Sequence, residues 1–181
     1  VQTSNGVWRF NKGQKGVKVV DGGIYVIKEL QGAVWIRTNS EGTWRFNKGQ
    51  KGMKVVEGYT NGIKELQEAV WVGTREGLWR FNKGQKGVKV IEGDIDKIKE
   101  VQGAVWAWAS NGVWWIKNGE QGVKVVEEGK VNEIKELQGT VWMQTSDAIY
   151  KFYPYKATVT TKTTTPIFSW IESLFPELWV G

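Results

Sequence analysis

A nine-residue phrase, Trp-Arg-Phe-Asn-Lys-Gly-Gln-Lys-Gly, starts at Trp8, returns at Trp44 and Trp79, and recurs in altered form from Trp114. A second marker, Val-Trp, falls at Val34-Trp35, Val70-Trp71, Val105-Trp106 and Val141-Trp142, and keeps the same step of 35 or 36 residues. Two independent markers with one period define a repeat protein. Units of this length cannot bury an apolar face alone, so they must stack on one another or arrange around an axis. Such a chain folds as an array of similar modules, and its 181 residues suffice for one well-buried domain.

Each unit reads as four short strands. From Gly58 to Glu92 the apolar segments are Ile63 to Gln67, Ala69 to Thr74, Leu78 to Asn82 and Val88 to Ile91. The breaks between them carry turn chemistry: Glu76-Gly77, the run Lys83-Gly84-Gln85-Lys86-Gly87, and the link Gly58 to Gly62. Glycine supplies the positive φ that tight hairpins need, while the flanking Val, Trp, Phe and Ile favour strands. Helix formers in Asp96-Lys97-Ile98-Lys99-Glu100-Val101-Gln102 offer a competing helix stopped at Gly103. It would span barely two turns, too short to hold without strong packing. Four-stranded units repeated about an axis predict an all-β fold, a small β-propeller of four to five blades of about 35 residues. The expected division is a half-blade over 1–20, units beginning near 23, 58, 93 and 130 within a repeat region of 1–161, then a linker and apolar tail over 162–181.

Composition narrows the chemistry. The chain has no Cys and no His, so thiolate and imidazole catalysis, disulfides and most transition-metal sites are excluded. Asp stands only at 21, 94, 96 and 147, and Glu falls mostly in repeated Lys-Glu pairs and turns, where a solvated face accounts for it. The expectation is a non-enzymatic protein without cofactor. The net charge of +6 comes largely from Lys12, Lys15, Lys48, Lys51, Lys83 and Lys86 in the repeated turns. Those turns read better as solvating loops than as a nucleic-acid surface, because Glu120 dilutes the charge of the fourth copy. No segment reaches the length of apolar chain needed to cross a bilayer.

The segments Val70-Trp71-Val72-Gly73-Thr74-Arg75-Glu76-Gly77-Leu78-Trp79-Arg80-Phe81 and Val34-Trp35-Ile36-Arg37-Thr38, with Gly42-Thr43-Trp44-Arg45-Phe46, resemble the two-component regulator propeller repeat. The shared pattern is an apolar residue, Trp, apolar, Gly, Thr, a short variable stretch, Gly, apolar, then an aromatic strand. The resemblance covers roughly residues 1 to 153. It implies a β-propeller, a binding role, an extracellular or cell-surface setting, and carbohydrate as ligand class.

Differences among the copies single out a candidate site. The Asn-Lys-Gly-Gln-Lys-Gly turn and the Lys-Glu-Leu-Gln strand barely change. Variation collects after Val-Trp and in the links between units. In a four-stranded meander those two loops emerge on one rim and the constant turns on the other. The candidate ligand-binding residues are therefore Arg37, Asn39, Tyr59, Arg75, Asp96, Trp108, Asn132 and Gln144, with Trp108 expected as an exposed stacking platform. The contrasting reading is drift in unconstrained loops.

After Tyr155 a Thr-rich run leads to Pro166 and then Phe168, Ile171, Leu174 and Phe175, a short amphipathic pattern stopped by Pro176. Packing back onto the propeller is the first expectation, contact with a membrane surface or a neighbouring subunit the second. A self-assembling protein that forms homo-oligomers through residues 1–20 and 166–181 is the alternative function. A recently amplified or designed repeat without an evolved ligand is a further origin for such similar copies.

Overall fold

A computed structural model describes residues 1–163 apart from Ser4, Gln14, Ser40, 128–130, Asp147 and 154–157, with side chains as far as Phe152. The linker and tail expected over 162–181 lie outside the described residues, save for 162 and 163 in the last strand. Among the described residues every regular element is a β-strand. The first sheet holds β1 (Gln2–Thr3), β2 (Gly6–Arg9) and β3 (Val17–Asp21). Four antiparallel four-stranded sheets follow in chain order. The second is β4 (Ile24–Leu30), β5 (Ala33–Thr38), β6 (Thr43–Phe46) and β7 (Met53–Val56). The third is β8 (Thr60–Leu66), β9 (Ala69–Thr74), β10 (Gly77–Asn82) and β11 (Val88–Glu92). The fourth is β12 (Ile95–Val101), β13 (Ala104–Ala109), β14 (Gly112–Lys117) and β15 (Val123–Val126). The fifth is β16 (Val131–Leu137), β17 (Thr140–Thr145), β18 (Ile149–Tyr153) and β19 (Thr158–Thr163). The stretch 96–101, with its helix-forming composition, lies in the first strand of the fourth sheet, because its ladder with β13 and the burial of Ile95, Ile98 and Val101 between sheets outweigh local propensity.

The first hairpin of each four-stranded sheet has a two-residue turn with both residues at positive φ: Gln31-Gly32, Gln67-Glu68, Gln102-Gly103 and Gln138-Gly139. These are the signs of φ that a type I′ turn takes, which matches the twist of the flanking strands. At the opposite end, Gly42, Gly77 and Gly112 have φ between +110° and +152°. A Cβ on Gly77 would lie 2.3 Å from the Ile91 carbonyl oxygen, so the third strand can start there only on glycine.

The core lies between sheets, and strand alternation divides it. Along β9, Ala69 and Trp71 pack with Ile95, Ile98, Val105 and Ile116 of the fourth sheet, while Val70 and Val72 pack with Trp35 and Val56 of the second. β9 is therefore buried on both faces. Trp106 likewise joins Ile134, Met143 and Phe152 of the fifth sheet. Three second-strand indole N–H groups donate to the carbonyl at the end of their own hairpin: Trp35 to Leu30 at 3.2 Å, Trp71 to Leu66 at 3.0 Å, Trp106 to Val101 at 3.3 Å. That satisfies the polar atom of a side chain sealed from water. The Trp44, Trp79 and Trp114 rings are half-buried on the third strands, each under a fourth-strand ammonium at 5.4, 5.3 and 5.2 Å. Among the described residues, no helix is long and apolar enough to cross a membrane.

Candidate functional rim

The varied loops do share a rim. In the second and fourth sheets the loop after the second strand is tied to the link that precedes the same sheet: Asn39 N–H donates to Gly23 O at 2.9 Å, and Ser110 N–H to Asp94 O at 2.8 Å. Thr38, Thr74 and Thr145 close their loops by donating to Gly42, Gly77 and Ala148 carbonyls at 2.9 to 3.0 Å. Each Thr hydroxyl in turn accepts a backbone N–H from its loop, from Glu41, Glu76 or Ala148. The tips are thus rigidly held, which suits a surface that presents side chains in fixed directions.

A β-bulge recurs at this rim in every four-stranded sheet. Pairing shifts between Ile24 and Val26, Thr60 and Gly62, Ile95 and Lys97, and Val131 and Glu133. The extra residues are Tyr25, Asn61, Asp96 and Asn132. Opposite them on the second strands stand Arg37, Gly73, Trp108 and Gln144, which pair with the residues following each bulge. A bulge leaves one residue outside the ladder and re-aims its side chain. One structural device therefore presents a variable residue of each copy.

The candidate residues divide into two groups. Tyr59 (42% exposed) and Arg75 come together, the guanidinium 5.0 Å from the ring centroid. Asn39, Asp96 and Asn132 are exposed and Gln144 is half-buried. Arg37 and Trp108 are instead buried, each 7% exposed. Trp108 is not the open stacking platform that the sequence suggested: it packs with Val131 and Met143, and its indole N–H donates to Val131 O at 2.8 Å. The reason is spacing, since Trp108 follows the core Trp106 by two residues in a strand and so shares its face. Arg37 follows Trp35 in the same way. Its guanidinium lies 4.0 Å from the Tyr25 ring centroid and donates from Nη1 to the Asn61 carbonyl of the next sheet at 2.6 Å. Its Nε has no partner among the described residues.

Two residues missed by sequence reading belong to this rim. Tyr25 is 62% exposed and rests on Arg37. Asn61 accepts from Arg37 and donates through Nδ2 to Asp94 Oδ1 at 2.9 Å and Ile95 O at 2.5 Å, joining three successive sheets. Both occupy the repeat position of Asp96 and Asn132, so alignment of the copies on the bulge would have found them. Where the second sheet has Arg37 and the fourth Trp108, the third has Gly73, and a cavity of about 140 Å³ opens beside it, lined by Asn61, Asp96 and Lys97 among others. In the fifth sheet, Glu133 bonds Lys99 of the fourth at 3.0 Å. Burial alone would raise the Glu133 carboxyl pKa; the Lys99 hydrogen bond and charge, the Ile134 N–H and the Lys97 charge outweigh it and hold the group below its ordinary range. Among the described residues no cluster of three acidic side chains is placed to hold a metal ion.

No family model matches the sequence, and no curated protein matches it. Among solved structures, the chain is similar to the extracellular domain of BT4673 from B. thetaiotaomicron, a protein named as a one component system, at 13% identity and a TM-score of 0.55 over 90% of this chain and 25% of that one. It is also similar to apo AztD from Citrobacter koseri, at 13% identity and a TM-score of 0.54 over 86% of this chain and 52% of that one. The chain thus spans a quarter to about half the length of these structures. With five successive antiparallel sheets packed face to face, these likenesses show a small β-propeller fold.

Proposed function

We propose that the chain is a non-catalytic binding module whose ligand is a carbohydrate, taken up on the rim of varied loops. The observation that carries this reading is the pair of exposed tyrosines on that rim, each backed by an arginine: Tyr25 with Arg37 and Tyr59 with Arg75. An aromatic face supplies apolar area for the C–H faces of a sugar ring, and neighbouring planar polar groups supply directional hydrogen bonds. Asn39, Asp96, Asn132 and Gln144 provide such groups on adjacent sheets. Trp108 contributes by fixing the wall of the rim. Binding at several weak sites would be reinforced through effective concentration. The extracellular placement of the similar BT4673 domain supports an extracellular or cell-surface setting.

The test is a glycan array probed with the intact chain at low and high salt, followed by Tyr25→Ala and Tyr59→Ala. The reading expects binding to a few glycans that survives high salt and is lost in the tyrosine variants without a fall in melting temperature. Binding only to acidic glycans at low salt would move the site to the lysine turns. Absence of glycan binding would overturn the proposal.

A further inference from the structure

The interfaces between neighbouring sheets share recurring parts, and the parts have a direction. The second-strand Trp of one sheet covers the third-strand apolar residue of the next. Trp35 meets Phe81 and Trp106 meets Phe152, with centroids 5.3 and 4.9 Å apart, and Trp71 packs with Ile116. Beside these contacts the third-strand arginine reaches the outer turn of the following sheet. Arg9 donates to Gln50 O at 3.3 Å, Arg45 to Gln85 O at 2.9 Å, and Arg80 to Gly119 O. The second and third sheets thus offer a Trp and a cation forward, the fourth offers Trp106 with Trp115 at the arginine position, and the third, fourth and fifth receive them on Phe81, Ile116 and Phe152.

Among the described residues, the two end sheets leave part of this machinery uncovered. On the backward face of the first sheet, Phe10 occupies the position of Phe46, Phe81 and Phe152, which are 9%, 1% and 0% exposed, yet Phe10 is 59% exposed. Its ring is held as in the interior copies: a Cβ on Gly16 would collide with it, just as one on Gly52 or Gly87 would strike Phe46 or Phe81. On the forward face of the fifth sheet, Trp142 is half-buried where Trp35, Trp71 and Trp106 are 2% exposed or less. Lys151, its cross-strand partner at the arginine position, holds its ammonium 4.7 Å from the Trp142 ring centroid.

We propose that a second copy of this chain occupies these faces, the fifth sheet of one molecule covering the first sheet of another with Trp142 over Phe10 and Lys151 donating to the turn after Phe10. Such an interface continues the interior one in trans. It is heterologous, because different surfaces meet, so copies join head to tail into a closed ring or a growing chain.

Light scattering on the intact chain should give a mass of at least twice 20.5 kDa. Phe10→Asp removes the backward face and Lys151→Glu the forward donor; each variant alone should be monomeric, with the strand spectrum retained because both side chains lie at the surface of an end sheet. Mixing the two should yield a one-to-one dimer, since the Phe10→Asp chain keeps a good fifth sheet and the Lys151→Glu chain a good first sheet. A monomeric wild-type chain overturns the proposal, as does a variant that assembles like the wild type or a mixture that stays monomeric.

Discussion

The indole of Trp35 meets the phenyl ring of Phe81 edge-on across two sheets, with planes at 72°. The partners stand 46 positions apart, so the contact depends on the whole interface between the second and third sheets. Phe81→Ala would leave Trp35 facing a void and remove a ring that is 1% exposed. A loss of about 3–5 kcal/mol is expected. Chemical denaturation should show this as a lower midpoint, whereas Phe10→Ala, at the same repeat position but exposed, should lower monomer stability far less.

Trp108 supplies the second prediction. With its ring among Val131, Met143 and their neighbours, and its N–H on the Val131 carbonyl, Trp108→Ala creates a cavity and strands an acceptor. Destabilisation of about 3 kcal/mol or more should follow. Thermal unfolding is the measurement, and an unchanged melting temperature would restore the exposed-platform reading. Any effect of this variant on ligand binding would act through the shape of the rim.

The contrast between these residues shows what was legible in the sequence. Period, turn glycines and β-branched runs are local signals repeated several times, so strands such as Ala69–Thr74 could be bounded from sequence, and the common rim followed from connectivity alone. Burial at the rim was harder because it depends on the neighbouring sheet. Arg37 and Trp108 lie in variable stretches that look like loop, yet strand alternation carries them onto the face of Trp35 and Trp106. The bulges were hidden for a related reason. They show only in the pairing of two strands: the repeat period alone aligns Tyr25 and Asn61 with Asp96 and Asn132, but it does not show that a bulge sets these side chains apart from the ladder.

Gly77 is a third test. Its φ of +152° lies where side chains are rarely tolerated, and an added methyl would meet the Ile91 carbonyl oxygen on the backbone of the adjoining strand. Gly77→Ala should cost about 2 kcal/mol or more through strain and a displaced fourth strand. Gly62→Ala is the control, since a Cβ there meets nothing within 4 Å and its φ is not in the positive range. Equal losses from both substitutions would show that the close approach to the Ile91 carbonyl does not govern the cost at Gly77.

The Glu133–Lys99 pair makes stability pH-dependent in a defined direction. The Glu133 pKa is lowered in the folded chain, so its contribution is fully present above the unfolded value, about 4.3 for Glu. That contribution declines as pH falls from there through the lower folded value, and is gone once the carboxyl is protonated in both states. Both side chains retain substantial exposure, 37% for Lys99 and 28% for Glu133, so the pair is worth about 1 kcal/mol at most. Glu133→Gln should therefore lower stability at neutral pH by a small constant amount, and the gap between wild type and variant should narrow to nothing in acid. Urea unfolding of both chains across that range reads the gap directly. A gap that widens toward low pH would mean that burial of the carboxylate, not Lys99, dominates its environment.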